Sequence, residues 1–176
     1  MSAVTYRRAT REDAAALAAF AAGSFVETFA HLYRRQDLEA YLGKSYGESI
    51  QREEIEDSSI ATWLAESGQA LVGYAQTGPM DLKTAHAPND RELYRLYVAS
   101  SVKGAGVAHA LMREAIAWCR GQGADALWLS VWENNERAQR FYRGYGFEHM
   151  GEHKFMVGSV ADRDLIWRLD LKGRHP

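Results

Sequence analysis

The segment Lys103-Gly104-Ala105-Gly106-Val107-Ala108 lies where a strand should give way to a helix. Glycines let a backbone turn tightly and come close to a ligand. A helix N-terminus offers unpaired N–H groups and a partial positive charge, a combination suited to phosphate. Lys103 adds a full charge beside it. A nucleotide P-loop is excluded, because the Gly-x4-Gly-Lys-Ser/Thr pattern is absent. A dinucleotide fingerprint fits poorly, because His109 stands where its last small residue belongs. A plain chain reversal stays open as the structural reading. Other reactive types are sparse. His149 and His153 read as sharing one strand face about 13 Å apart, too far to chelate one ion, so no metal site is expected. Cys119 is the one cysteine, and it falls on the apolar side of a helix pattern, which makes it core.

These residues need a scaffold. The chain has 176 residues, 47% hydrophobic and 25% charged, with a net charge of −2. That is enough for one globular domain over 1–176. It lacks the basic excess of a nucleic-acid binder. No run of 18 apolar residues is evident, so no membrane span is expected. The N-terminus has no signal-like apolar core, and a cytoplasmic protein follows. Val4–Ala9 reads as a strand. Thr10, with Asp13 as a capping-box partner, opens a helix burying Ala14, Leu17, Ala18, Ala21 and Phe25. Residues 28–57 read as more helix, broken at Gly43, with Ser45 and Glu48 as a second capping pair. Ser59–Ala65 and Ala70–Thr77 form a hairpin, and residues 80–91 a loop. Strand Leu93–Ala99, helix Val107–Arg120 and strand Leu127–Trp132 make a parallel βαβ unit. Asn134 or Asn135 caps a helix whose Ala138, Phe141 and Tyr145 face inward, leaving Tyr142 off the core side. Strands at Phe147–Val157 and Asp164–Leu171 end the chain. The order β-α-α-β-β-β-α-β-α-β-β is a mixed α/β sheet covered by helices. Most tryptophans read as core, with Trp132 near a cleft.

Two motifs turn this outline into a resemblance. Lys103-x-x-Gly106-x-Ala108 opening a helix, and Asn135-x-x-Ala138-x-x-Phe141-Tyr142 followed by Gly146-Phe147, resemble the GNAT superfamily of N-acetyltransferases. Lys103 replaces the family's Gln or Arg, keeping charge but losing a planar fork. Ser24-Phe25-x-Glu27-Thr28-Phe29, Trp132-Glu133-Asn134-Asn135, and His153-x-Phe155 through Asp164 resemble its spermidine/spermine-acetylating, PaiA-like branch.

The resemblance implies an enzyme that moves acetyl from acetyl-CoA directly to a primary amine of a small molecule, a polyamine first. The backbone of Leu96, Tyr97 and Val98 would pair with pantetheine as an added strand. Lys103, Gly104, Ala105, Gly106, Val107 and Ala108 would hold the pyrophosphate. Asn135 and Ala138 would meet the pantetheine arm, although an Asn there also caps helices. Tyr142 would be the general acid for a thiolate leaving group. An alkylamine near pKa 10.4 is neutral in only about one part in 10³ at pH 7, and Glu92 is the candidate base. Glu27, His31 and Tyr33 are candidate acceptor contacts, because cations seek carboxylates and aromatic faces. A homodimer is a further implication. Another amine acceptor (an amino acid, a peptide N-terminus or an antibiotic) and a non-catalytic acyl-CoA-binding regulator are the competing functions.

Overall fold

The computed structural model describes residues 3–173. Seven strands form one sheet in the order β1-β2-β3-β4-β5-β7-β6. Strand β1 is Val4–Arg8, β2 Ala61–Ser67, β3 Ala70–Pro79, β4 Arg91–Val98, β5 Ala126–Trp132, β6 Glu148–Val157 and β7 Val160–Asp170. The helices are α1 (Ala14–Phe29), α2 (Arg35–Tyr46), α3 (Glu48–Glu56), α4 (Val107–Gly121) and α5 (Glu136–Gly144). This is the mixed α/β architecture expected from the sequence. The broken helical stretch read over residues 28–57 is α2 and α3.

Each sheet face has its own core. Val107, Leu111, Ala115 and Cys119, every fourth residue of α4, pack on Leu93, Leu127, Leu129 and Trp167 of the sheet, and Tyr142 and Phe147 extend this cluster. On the other face, Leu17, Ala21 and Phe25 of α1 pack with Leu38, Tyr46, Leu64, Tyr74 and Val157. A smaller cluster of Leu82, Ala126, Trp128 and Ile166 lies under the 80–90 loop. At about 25 cal/mol per Å² of apolar surface, these two faces are the dominant favourable term in folding.

The Thr10–Asp13 capping box forms, and it opens a single 3₁₀ turn before α1. Gly43 does not break α2; the break falls at Gly47, whose ψ of 151° caps α3 in place of Ser45. One interior glycine costs a helix only about 1 kcal/mol, and the packing of Leu38 and Tyr46 on either side of it outweighs that. Ala18 is only half-buried. The helical run Arg11–Leu32, with mean hydropathy 1.3, is long and apolar enough to cross a membrane by length and composition, although polar residues such as Ser24, Glu27 and Thr28 leave it without an unbroken run of 18 apolar residues. Alanines raise its average, and its buried stripe is the one packed on the sheet.

The central feature is a seam. Strands β4 and β5 are parallel, and their ladder comprises only Arg91↔Leu127 and Glu92↔Trp128. Beyond Glu92 the strands diverge. The register of β4 with β3 slips between Gln76 and Thr77, leaving Tyr94 as the extra residue of a bulge. A bulge bends its strand and increases the local twist, which swings the rest of β4 away from β5. The Tyr94 ring fits because Gly78 has no Cβ; one built there would stand 2.6 Å from the phenolic oxygen.

Candidate active site

The gap between β4 and β5 opens into a cleft of about 1180 Å³ that runs through the sheet. One end is built by the end of β4 and the start of α4. Leu96, Tyr97 and Val98 pair with β3 on one side and, past the seam, have no β5 partner on the other. Gly104 and Gly106 adopt φ of 87° and 81°, a region that side chains disfavour. This conformation aims the chain into α4 with the first-turn N–H groups free of helical partners. Lys103, Gly104, Gly106, Val107 and Ala108 all line the cleft, whereas Ala105 does not. The Lys103 Nζ donates to Ser100 Oγ at 3.1 Å. An open strand edge, a free helix start and a cation at one end of a cleft suit a long ligand with amides and phosphates.

The middle of the cleft carries Asn135, Ala138, Tyr142 and Glu92. Asn135 caps α5, its Oδ1 accepting from the Ala138 N–H at 3.2 Å. Gln139 holds the turn before it by donating to the Glu133 carbonyl at 2.7 Å. The helical spacing assigns Phe141 to the core and leaves Tyr142 off it; in the structure Phe141 packs half-buried against the core, and Tyr142 is the more deeply buried of the two. Tyr142 is 8% exposed, packed edge-on against Phe147, while Phe141 turns toward His109. The helix sits over the seam, so its inward side includes the cleft wall. Burial raises the Tyr142 pKa, keeping the phenol protonated. Glu92 is buried, not solvated, and its Oε2 accepts from the N–H groups of Asp81 and Leu82 at 2.8 and 2.9 Å. Burial raises its pKa, and the two amides oppose that.

The far end is aromatic and acidic. Phe25, Phe29, Tyr33, Tyr41, Tyr46, Trp132 and Phe155 form its walls, with His153, Asp162 and Asp164 from the last hairpin. Tyr33 lines it and donates its hydroxyl to Asp162. Glu27 and His31 are not among the lining residues. Glu27 accepts from Ser100 at the approach to the glycine loop, and His31 meets the edge of Trp132 with ring centroids 6.2 Å apart. Arg95 is bonded to Glu54 and Gln76 at 2.8 and 2.7 Å, a buried network that ties α3 to β4.

The last hairpin corrects another expectation. The β6 register slips between His149 and Gly151, so His149 opposes Trp167 while His153 opposes Asp164. An offset of three along β7 places them on opposite faces. His149 packs on Trp167, and His153 points into the cleft. No group of three potential metal ligands occurs among the described residues. Cys119 is buried, its thiol pushed up to about 12.

A seven-stranded sheet splayed at its one parallel seam, with a helix start facing the gap, is the architecture of acyl-CoA-dependent acyltransferases. The model of the acetyltransferase (GNAT) family matches residues 26–147, and the chain belongs to that family. GNAT enzymes use acetyl-CoA as the acyl donor. An uncharacterised N-acetyltransferase of Mycobacterium tuberculosis is 30% identical over 90% of this chain and 98% of its own length. An uncharacterised N-acetyltransferase of Lactobacillus delbrueckii subsp. lactis, encoded in the pepI 3′ region, is 26% identical over 97% and 99%. The crystal structure of the PaiA N-acetyltransferase of Thermoplasma acidophilum in complex with coenzyme A superposes with a TM-score of 0.77 at 23% identity, covering 96% of this chain and 99% of that one.

Proposed function

We propose that this chain, acting as a single cytoplasmic domain, acetylates a primary amine of a small cationic molecule, a polyamine being the first candidate acceptor. The observation that carries the reading is the cleft itself. It joins an open strand edge and a helix start to a chamber walled by aromatic rings and carboxylates. Acetyl-CoA supplies the activated acetyl group as a thioester. The backbone of Leu96, Tyr97 and Val98 binds the pantetheine amides by completing the β4 edge. The N–H groups from Gly104 to Ala108, with Lys103, bind the pyrophosphate, and Asn135 and Ala138 position the arm beside α5.

Glu92 takes the proton that the acceptor ammonium must lose; its Oε2 is fixed by two amides, and burial raises its affinity for that proton. The freed nitrogen lone pair attacks the thioester carbonyl, the C–N bond forms, and the tetrahedral adduct collapses with cleavage of the C–S bond. Tyr142, held protonated, hydrogen-bonds the developing sulfur anion and gives it a proton. The second nitrogen proton leaves as the amide forms and restores the phenol of Tyr142 through solvent. Tyr33, Tyr41 and Trp132 present ring faces to the cationic acceptor. A copy-to-copy dimer is compatible with this reading and is not required by it.

The test is release of coenzyme A from acetyl-CoA, followed with a thiol reagent across spermidine, spermine, lysine, short peptides and aminoglycosides. Turnover with polyamines alone supports the reading in full. Turnover only with another amine keeps the reaction and replaces the acceptor. No turnover with tight acetyl-CoA binding overturns the polyamine acceptor, and leaves either an amine outside the panel or an acyl-CoA-binding regulator.

A further inference from the structure

The two aspartates in the chamber are in different circumstances. Asp162 accepts the Tyr33 hydroxyl. Asp164 is only 8% exposed, and among the described residues its carboxylate has one hydrogen-bond partner, Ser130, whose Oγ donates to Oδ2 at 3.4 Å, a long contact for a hydroxyl donor. No group among the described residues donates to Oδ1. The cationic side chains that line the cleft are engaged elsewhere or exposed: Arg95 with Glu54, Lys83 with Asp81 and Lys103 with Ser100, while Arg137 is exposed on α5.

The groups that face Asp164 carry no compensating charge. From β5 come Ser130 and Trp132, from β7 Asp162, and from the helical side Tyr33 and Tyr41, both of which feel its charge. From β6 comes His153, its register partner, with the two Cβ atoms about 5 Å apart on one face. The His153 Nε2 is buried without a hydrogen-bond partner, and burial lowers the pKa of this imidazole, favouring the neutral form. A carboxylate withdrawn from water is strongly destabilised unless something compensates its charge. Desolvation, helped by the charge of Asp162, moves its pKa up to about 6. Near neutral pH it is therefore ionised and under-compensated, and it faces the cleft.

We propose that Asp164 is the specificity carboxylate of this enzyme: it binds a cationic nitrogen of the acceptor and selects charged amines over neutral or anionic ones. The ammonium donates to the open Oδ1, with the rings of Trp132, Tyr33 and Tyr41 around it. This rests on the acetyl-transfer reading above.

The experiment is calorimetric titration of spermidine into the coenzyme A-saturated protein. Asp164→Asn keeps the shape and removes the charge. Its affinity for spermidine should fall roughly 10- to 100-fold, with coenzyme A affinity unchanged. Wild-type affinity should also fall between pH 7.5 and 5, as Asp164 takes up a proton, and this dependence should flatten in Asp164→Asn. The pH series on the wild-type protein stands even if the variant misfolds. Asp164→Asn binding spermidine within about twofold of wild type, or flat wild-type affinity across that pH range, overturns the assignment while leaving acetyl transfer intact. If the wild-type protein binds none of spermidine, spermine, lysine or an aminoglycoside, the cationic-acceptor reading fails, and this assignment with it.

Discussion

Tyr33, just before α2, donates its hydroxyl to Asp162 on β7 across the aromatic end of the cleft. That bond joins residues 129 positions apart and braces the wall that α1 and α2 place over the last hairpin. Tyr33→Phe should lower stability by about 1 kcal/mol and raise KM for the amine, leaving KM for acetyl-CoA unchanged. Steady-state kinetics with each substrate varied in turn checks the split. A rise in both KM values would place Tyr33 outside acceptor binding.

Tyr142→Phe deletes one oxygen from a ring that stays packed on Phe147. It should reduce kcat by about 10²–10⁴-fold, the range for loss of a general acid. The melting temperature and coenzyme A affinity should stay close to wild type. A kcat within a few-fold of wild type would assign the leaving-group proton to another donor.

Asp164 has a raised pKa in the folded state, about 6 against an ordinary 3.8. The folded state therefore binds the proton more tightly than the unfolded state. Its burial costs nothing below pH 3.8, grows as pH rises through that window, and is complete above about 6. At 1.36 kcal/mol per pKa unit the cost reaches at most about 3 kcal/mol. Asp164→Asn should accordingly melt several degrees higher than wild type at pH 8, with the gap closing at pH 4. Thermal melts at the two pH values read this directly, and an equal gap at both would mean the carboxylate is not destabilised.

Gly106 caps α4 at φ 81°. Gly106→Ala meets no steric obstacle there, but it places a side chain in left-handed backbone at about 1–2 kcal/mol. We expect lower stability and weaker coenzyme A binding together, by melting and calorimetry. The same substitution at Gly43, inside α2, should leave coenzyme A affinity unchanged.

Cys119 is fully buried with its thiol pushed up to about 12. The native protein should not react with a thiol reagent, whereas guanidinium-unfolded protein should react at one thiol per chain. Prompt labelling of the native protein would show that α4 opens readily.

What the sequence discloses here is what is local. The glycine loop, the Asn135 cap, the Thr10–Asp13 box and the α4 stripe ending in Cys119 follow from spacings of three or four residues, and each stands where those spacings put it. What it conceals depends on partners far away in the chain. Periodicity assigns Phe141 to the core and frees Tyr142, because it treats the helix as packed on a closed sheet; the open seam brings Tyr142 inside as well. Strict alternation puts His149 and His153 on one face, and a single slipped residue in β6 separates them. The acidic chamber arises because the β5–β7 and β6–β7 registers bring Ser130, Asp164 and His153 together. Only the His153-to-Asp164 stretch hinted at it, and it did so through resemblance, without a geometry of its own.

The seam has a mechanical meaning as well. Within the sheet, two residue pairs are the whole ladder between β4 and β5, and the two halves are otherwise held by the packing of α4 and by contacts across the cleft such as Tyr33 with Asp162. A long ligand lying along the open β4 edge, as proposed above, would supply the backbone bonds that the ladder lacks there. Under that binding mode the strand edge and the coenzyme complete one another, and hydrogen exchange along Leu96–Val98 should slow when coenzyme A binds.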